Sequence, residues 1–209
     1  MTIDVKKLEK QFYQPKTTPE LIEIPAMNFM AIRGMGDPNA NNGAYQTAVQ
    51  KLYAVAYTLR MSQKAGVDLP GFEPYVVPPL EGLWWQTGKH GVDLTSKATF
   101  QWWSMIRLPK FVNLAMLDWA KQNAAEKKAL DTSAIQWLTY DEGLVVQAMH
   151  LGPYATEPDT VTTMAAFIAD HELQVDFTER YHHEIYLSDP RKTAAEKMKT
   201  ILRHPVKRL

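Results

Sequence analysis

Hydrophobic and polar positions alternate with two different periods along this chain. Met27, Phe29 and Ala31 interleave with Asn28, Met30 and Ile32. This two-residue repeat predicts a strand over 21–34, interrupted at Pro25 because proline has no N–H to give to a ladder. A Gly/Asn/Pro loop follows over 34–43. It lacks both the G-x-G-x-x-G spacing and the Gly-Lys-Ser/Thr ending of phosphate loops, and Asn41 or Asn42 is placed to cap the next element. From residue 44 the period lengthens. Tyr45, Val49, Leu52, Ala56 and Leu59 recur at i, i+4, i+7, i+11 and i+14, predicting a helix over 44–65 that stops at Gly66.

Pro74, Pro78 and Pro79 mark 72–79 as extended, and strands are predicted over 80–86 and 99–108. Each of the two carries adjacent tryptophans, Trp84-Trp85 and Trp102-Trp103. Neighbours on a strand point to opposite sides, so both faces of the sheet receive aromatic surface. A bare tryptophan face is a liability, which predicts a ligand cleft or a dimer contact on the second face. Pro109 opens a helix over 110–128 with Phe111, Leu114, Ala115 and Trp119 on its apolar side. The runs 135–140 and 144–151 flank Asp141-Glu142-Gly143, a hairpin signal. Gly152-Pro153-Tyr154 ends the second of them, and Thr156 then caps a helix whose stripe is Val161, Met164, Ala165 and Ile168.

The stretch 181–190 again has period two. Tyr181, His183, Ile185 and Leu187 share one side; His182, Glu184, Tyr186 and Ser188 share the other. Asp189-Pro190 ends this strand and opens a last helix over 190–202 with Ala194, Met198 and Ile201 inward. Residues 1–20 read as an N-terminal arm with a helical turn around 5–12. The expected fold is α+β: one largely antiparallel sheet from two similar halves, about 21–108 and 133–190, with helices on one face and a ligand cleft on the other.

Composition narrows the function classes. The 209 residues suit a single domain with a substantial core. Lys+Arg and Asp+Glu both number 23, so no net charge draws the chain to nucleic acid or to an anionic membrane. Cysteine is absent, which removes disulfides, thiolate metal sites and thiol catalysis. No signal-peptide pattern and no long apolar run is present, and a cytoplasmic protein is expected. Glu184 sits mid-strand, where a carboxylate is either solvated or ion-paired, or is set in a pocket. His182 and His183 point apart on a strand and belong to no H-E-x-x-H motif, so no metal is expected.

Four blocks carry a family resemblance: Pro78-Pro79-Leu80-Glu81-Gly82-Leu83-Trp84-Trp85, Met105-Ile106-Arg107-Leu108-Pro109, His150-Leu151-Gly152-Pro153-Tyr154 with Glu157, and His182-His183-Glu184-Ile185-Tyr186-Leu187-Ser188-Asp189-Pro190-Arg191. Together they resemble the GyrI-like small-molecule-binding family, most closely its stand-alone bacterial branch, over about 21–206. The resemblance implies two pseudo-symmetric strand–helix–strand–strand modules with a ligand pocket in the cleft between them. It also implies a hydrophobic, aromatic and often cationic small-molecule partner. In the family's transcription regulators the module is fused to a helix-turn-helix domain. The twenty residues before the first strand are too few for one, so no direct nucleic-acid binding is expected.

The stand-alone branch includes cyclopropanoid cyclopropyl hydrolases, which add water to the strained ring of DNA-alkylating natural products of the yatakemycin class. By that resemblance Glu184 is the pocket glutamate and the general base. Tyr154 is the donor to the developing phenolate, with His182 or Tyr186 as alternatives on the same strand face as Glu184. Trp84 and Trp103 are the stacking walls, with Trp85 and Trp102 as the alternatives, and no cofactor is needed. Two other readings stand beside hydrolysis: a non-catalytic binder or sensor of aromatic or cationic drugs, and a gyrase-protecting interaction protein. Either a monomer or a homodimer is compatible.

Overall fold

The structure is a computed structural model that describes residues 2–89, 92–93 and 96–209. Its strands are β1 (Glu20–Ile24), β2 (Met27–Met35), β3 (Leu80–Trp85), β4 (Gln101–Arg107), β5 (Gln136–Tyr140), β6 (Gly143–Leu151), β7 (Leu173–Val175), β8 (His182–Tyr186) and β9 (Lys199–Arg208). The helices are α1 (Val5–Leu8), α2 (Lys10–Tyr13), α3 (Ala44–Arg60), α4 (Leu114–Lys128) and α5 (Glu157–Asp170). The strands lie in the order β1-β6-β9-β8-β3-β4-β2-β5, with β7 added to the far end of β9. Every ladder is antiparallel.

Two modules of strand–helix–strand–strand order meet at the centre. β2-α3-β3-β4 forms one half and β6-α5-β8-β9 the other, joined where β3 pairs with β8. Each half is preceded by a short strand that pairs with the opposite half, β1 with β6 and β5 with β2. Only two residues link β1 to β2, and two link β5 to β6. Since three virtual bonds span at most about 11 Å, the outer edges of the two halves must approach each other, and the sheet curls. Ile24, Met27, Phe29, Ala31, Leu83, Met105 and Val145 fill the inside of that curl.

The hairpin expected at Asp141-Glu142-Gly143 therefore does not form. β5 and β6 are consecutive but unpaired, because the chain crosses between edges there. Gly143 supplies the positive φ of 63° that the crossing needs, and the Glu142 side chain turns inward as an ion-pair partner. The predicted C-terminal helix over 190–202 is also corrected. Residues 195–197 make only a 3-10 turn, and Lys199–Arg208 is β9, an interior strand. Ala194, Met198 and Ile201 fit a helical stripe as readily as a strand. Burial on both faces decides the matter, with Ile201 in one core cluster and Leu202 in another. Pro205 is tolerated because it falls between the last residue paired with β8, Arg203, and the first paired with β7, Val206. The second module accordingly runs past 190 to the end of β9.

The helices start later or end earlier than the periodicity implied. α4 begins at Leu114 because the Asn113 side chain accepts from Met116 N–H at 3.0 Å. α3 starts after Gly43, and neither Asn41 nor Asn42 caps it. Its buried residues Ala48, Leu52, Val55, Ala56 and Leu59 pack with Met30, Ile32, Trp102 and Ile106 of the sheet and with Met116, Leu117, Ala120 and Ala124 of α4. α5 covers the other half through Met164 and Ile168.

The N-terminal arm is part of the core. α1 and α2 lie over the sheet face away from α3 and α5, where Val5 and Tyr13 pack on Met149, Ile185 and Ile201. The cleft was expected on that face. The arm and the curl occupy it. No helix among the described residues is long and apolar enough to cross a membrane.

Candidate active site

The site lies where the two modules meet. In the β3–β8 ladder Gly82 is opposite Glu184, Leu80 opposite Tyr186 and Trp84 opposite His182. These even-numbered positions face the helices, since Trp84 and Tyr186 pack in the α3 cluster. Gly82 clears the floor: a Cβ there would stand 2.6 Å from Trp84 Nε1 and 3.1 Å from the Tyr186 hydroxyl. Without it, Trp84 Nε1–H donates to Tyr186 Oη at 3.1 Å, and Tyr186 O–H donates to Glu184 Oε2 at 2.6 Å. The other carboxylate oxygen, Oε1, is 3.0 Å from His182 Nε2, and His182 Nδ1 is 2.8 Å from His204 Nε2. With a carboxylate accepting at Nε2, that nitrogen of His182 carries a proton. Burial, reinforced by His182, holds the His204 pKa down near about 3, so His204 is neutral.

Aromatic rings enclose the carboxylate, whose side chain is only 13% exposed. Tyr45, in the first turn of α3, lies 5.1 Å from both Trp84 and Trp102, ring centre to ring centre. Tyr154, in the turn before α5, stands 5.9 Å from Tyr186 and nearly perpendicular to it. That turn is pinned from β6. His150 Nδ1 meets Thr160 Oγ1 at 2.8 Å, and His150 Nε2 meets the Pro153 carbonyl at 3.1 Å, while Gly152 takes a φ of 130°. The His-Leu-Gly-Pro-Tyr block is thus a device that sets Tyr154, and behind it Glu157, against the sheet. Tyr154 is 37% exposed and forms the open side. A cavity of about 270 Å³ at the end of β3, lined by Trp84, Gln86, Phe177, Arg180 and Tyr181 among others, shares Trp84 with this group.

The charge on Glu184 is felt by its neighbours. Burial first, and Glu184 second, push Tyr154 up to about 12 and Tyr186 well above the usual phenol range. Both therefore stay protonated and able to donate. Burial and then Glu184 also raise Glu157 to about 9.

Of the residues singled out from the sequence, the fold brings together Glu184, Tyr186, His182, Trp84 and Tyr154. Trp85 and Trp103 do not join them. Trp85 stacks on Tyr181 at 4.4 Å with the Arg33 guanidinium 5.4 Å from its ring, and Trp103 packs with the Leu83 and Met105 cluster. The reason is register. Trp84 is opposite Trp102 in the β3–β4 ladder, so those two share a face and Trp103 takes the other. Trp102 itself is core, 1% exposed. Tyr45, Gly82, Glu157 and His204 were not singled out for the site. Gly82 and Glu157 stood in the blocks that carry the resemblance and Tyr45 in the helical stripe, but their place in the site was not read from them. His204 could not be placed while β9 was read as following a helix.

Behind the site, on the opposite sheet face, His183 bridges two carboxylates, Glu81 at 3.0 Å and Glu142 at 2.9 Å. Arg203 pairs with Glu142 at 3.0 Å and donates to Gln147, while the Tyr13 hydroxyl donates to Glu81 at 3.1 Å. Arg107 links Tyr13 to Glu9 of the arm. Burial alone would lower the His183 pKa, but Glu142 and Glu81 outweigh it and raise it to about 9. The network fixes β8 from behind. Among the described residues no group of three or more His, Asp or Glu is arranged to hold a metal ion.

A curled antiparallel sheet of two pseudo-symmetric modules, with an enclosed carboxylate among aromatic rings at their junction, defines a small-molecule-binding protein. Residues 17–207 match the GyrI-like small molecule binding domain, and the chain belongs to that family. It is 49% identical to an uncharacterized conserved protein from Listeria innocua, over 99% of this chain and 100% of that one, with a TM-score of 0.93. A hydrolase from Listeria innocua is 48% identical over the same shares, with a TM-score of 0.90. The C-terminal domain of EcmrR, 14% identical over 91% of this chain and 98% of its own, shares the fold with a TM-score of 0.56. No curated protein matches the chain.

Proposed function

We propose that this protein is a hydrolase that adds water to strained, electrophilic aromatic small molecules, opening a cyclopropane ring, and so detoxifies them. The supporting observation is the state of Glu184, a carboxylate enclosed by aromatic rings and oriented at both oxygens by Tyr186 and His182. A spirocyclopropane conjugated to a dienone is poised to aromatise. Water needs to be aimed at one carbon and deprotonated, which one positioned carboxylate does. The carbonyl oxygen needs a hydrogen bond as it becomes a phenolate, which a protonated phenol such as Tyr154 gives. Flat rings hold a polycyclic ligand beside them. The similarity to hydrolases over full length supports the same reading.

The test is incubation with a spirocyclopropyl dienone of the yatakemycin class, followed by mass spectrometry. The expected product is one water heavier, is formed in excess over protein, and is lost with Glu184→Gln. Tight binding with tryptophan quenching and no product identifies a non-catalytic binder instead. Unchanged turnover in Glu184→Gln removes Glu184 as the base.

A further inference from the structure

Each of the two donors on Glu184 is itself backed by a second ring. Behind Tyr186 stands Trp84, whose Nε1–H donates to the phenol oxygen at 3.1 Å. Behind His182 stands His204 of β9, its Nε2 2.8 Å from His182 Nδ1. The mechanism above gives His204 no role. The sheet sets this pair. His183 and Arg203 are the last partners of the β8–β9 ladder, and His182 and His204 are the next residue on each strand. Alternation therefore turns both side chains to the face of Glu184 and Leu202. His204 is buried, 8% exposed. The segment before β8 closes over it. Phe177 stands edge to face with the His204 ring at 5.3 Å. Asp176 N–H donates to the Pro205 carbonyl at 2.8 Å, and Arg180 donates to the Val206 carbonyl at 3.0 Å.

Two ring nitrogens 2.8 Å apart hold one N–H between them. Glu184 needs the other nitrogen of His182, Nε2, to carry a proton. His182 Nδ1 is then either bare or protonated, and His204 Nε2 serves both cases. A neutral imidazole carries its single proton on either nitrogen, so it donates to a bare Nδ1 and accepts from a protonated one. Burial keeps His204 neutral. An aliphatic side chain at 204 would leave Nδ1 buried without a partner, an unmade bond that a turn of the ring relieves. A turned ring takes its Nε2–H off Glu184 Oε1.

We propose that His204 is a positioning residue of this site, which fixes the proton and the ring plane of His182 from behind and thereby the Glu184 carboxylate in front. The positioning is independent of the reaction; its effect on rate rests on the hydrolase reading. Glu184 is clamped by two arms, Trp84 through Tyr186 from the β3 side and His204 through His182 from the β9 side. Each arm occupies one lone pair of a carboxylate oxygen. The lone pairs that remain have fixed directions, which is what a carboxylate needs to aim a water. His204 itself takes no part in the bond changes.

Two measurements on the full chain decide this. NMR of protein labelled with nitrogen-15 histidine should show a scalar coupling across the hydrogen bond between His182 Nδ1 and His204 Nε2, and a protonated His182 Nε2. The variants His204→Gln and His204→Met have side chains of similar size, but only the amide both donates and accepts. His204→Gln should keep the His182 signals of the wild type, and His204→Met should replace them by the averaged signals of two tautomers. A wild-type His182 bare at Nε2, a missing coupling, or His182 signals unchanged in His204→Met overturns the assignment without any substrate. The wild-type spectrum decides even where His204→Met does not fold. In turnover of a spirocyclopropyl dienone, His204→Met should lower kcat about 10- to 100-fold with little change in KM, and His204→Gln should recover most of the rate. Unimpaired turnover in His204→Met overturns this proposal alone. So does an equal loss in both variants, which marks a packing role. A wild-type protein that turns nothing over overturns the hydrolase reading and leaves the spectra to decide the positioning.

Discussion

Glu184 and His183 are consecutive residues of β8 that serve opposite faces of the sheet, one in the aromatic site and the other between two buried carboxylates. The pleat makes this unavoidable. It also means that the backbone carrying Glu184 is held from behind by the ion pairs of His183.

Replacing His183 should therefore cost stability and disturb the site together. His183→Ala leaves Glu81 and Glu142 buried without their shared cation, a loss of about 3–5 kcal/mol. The pKa of His183 is raised in the fold from 6.5 to about 9. Its contribution is complete below 6.5 and is lost as pH rises through 9. Glu157, raised from 4.5 to about 9, gives a loss of the same sign over a wider window. Urea midpoints measured across this range should fall in the wild type, less steeply in Glu157→Gln, and less steeply again in a variant lacking both groups.

The acid side should belong to Glu142. Burial opposes its ionisation, but His183 and Arg203 outweigh burial and hold its pKa near about 2, below the ordinary 4.5. Its stabilisation is present above 4.5 and is lost as pH falls toward 2. Glu142→Gln should lower stability at neutral pH by about 3–5 kcal/mol and flatten the acid limb of the same titration.

Two glycines should tolerate no side chain, for different reasons. A Cβ on Gly34 would stand 2.2 Å from the Trp102 ring, which is its partner in the β2–β4 ladder and cannot swing out of the core. Gly34→Ala should destabilise by about 3 kcal/mol in calorimetry. Gly82→Ala instead strikes Trp84 and Tyr186. It should weaken ligand binding in a fluorescence titration by more than its loss of stability explains.

Tyr186→Phe leaves the Trp84 N–H and one Glu184 oxygen without partners. A hydrogen bond to a charged group is worth about 1.5–3 kcal/mol. Turnover of the cyclopropyl substrate should fall by roughly 10- to 100-fold, with folding retained by circular dichroism.

Much of the first module was legible in the sequence. Period two over 27–32 and the helical stripe from Tyr45 to Leu59 are local patterns, and a strand and a helix form over them, although α3 ends at Arg60, short of the stop expected at Gly66. The face of β8 that carries His182, Glu184 and Tyr186 was equally legible, because alternation along a strand depends on nothing outside it. Partners were not legible. Whether Trp102 or Trp103 sits beside Trp84 depends on ladder register. Whether Met198–Val206 is helix or strand depends on burial against both neighbours, β6 and β8. The pairing of β5 with β2 rather than with β6 depends on the curl of the whole sheet.

The sequence by itself determined that Glu184 stands mid-strand with histidine and tyrosine on its own side, because side-chain direction is a property of each residue's place in the strand. Only the tertiary structure decided which face is the site. The N-terminal arm fills one side of the sheet, and the first turns of α3 and α5 bring Tyr45 and Glu157 to the other. The contacts of the arm and of Tyr45 with β8 join residues more than a hundred positions apart, and no local pattern records them.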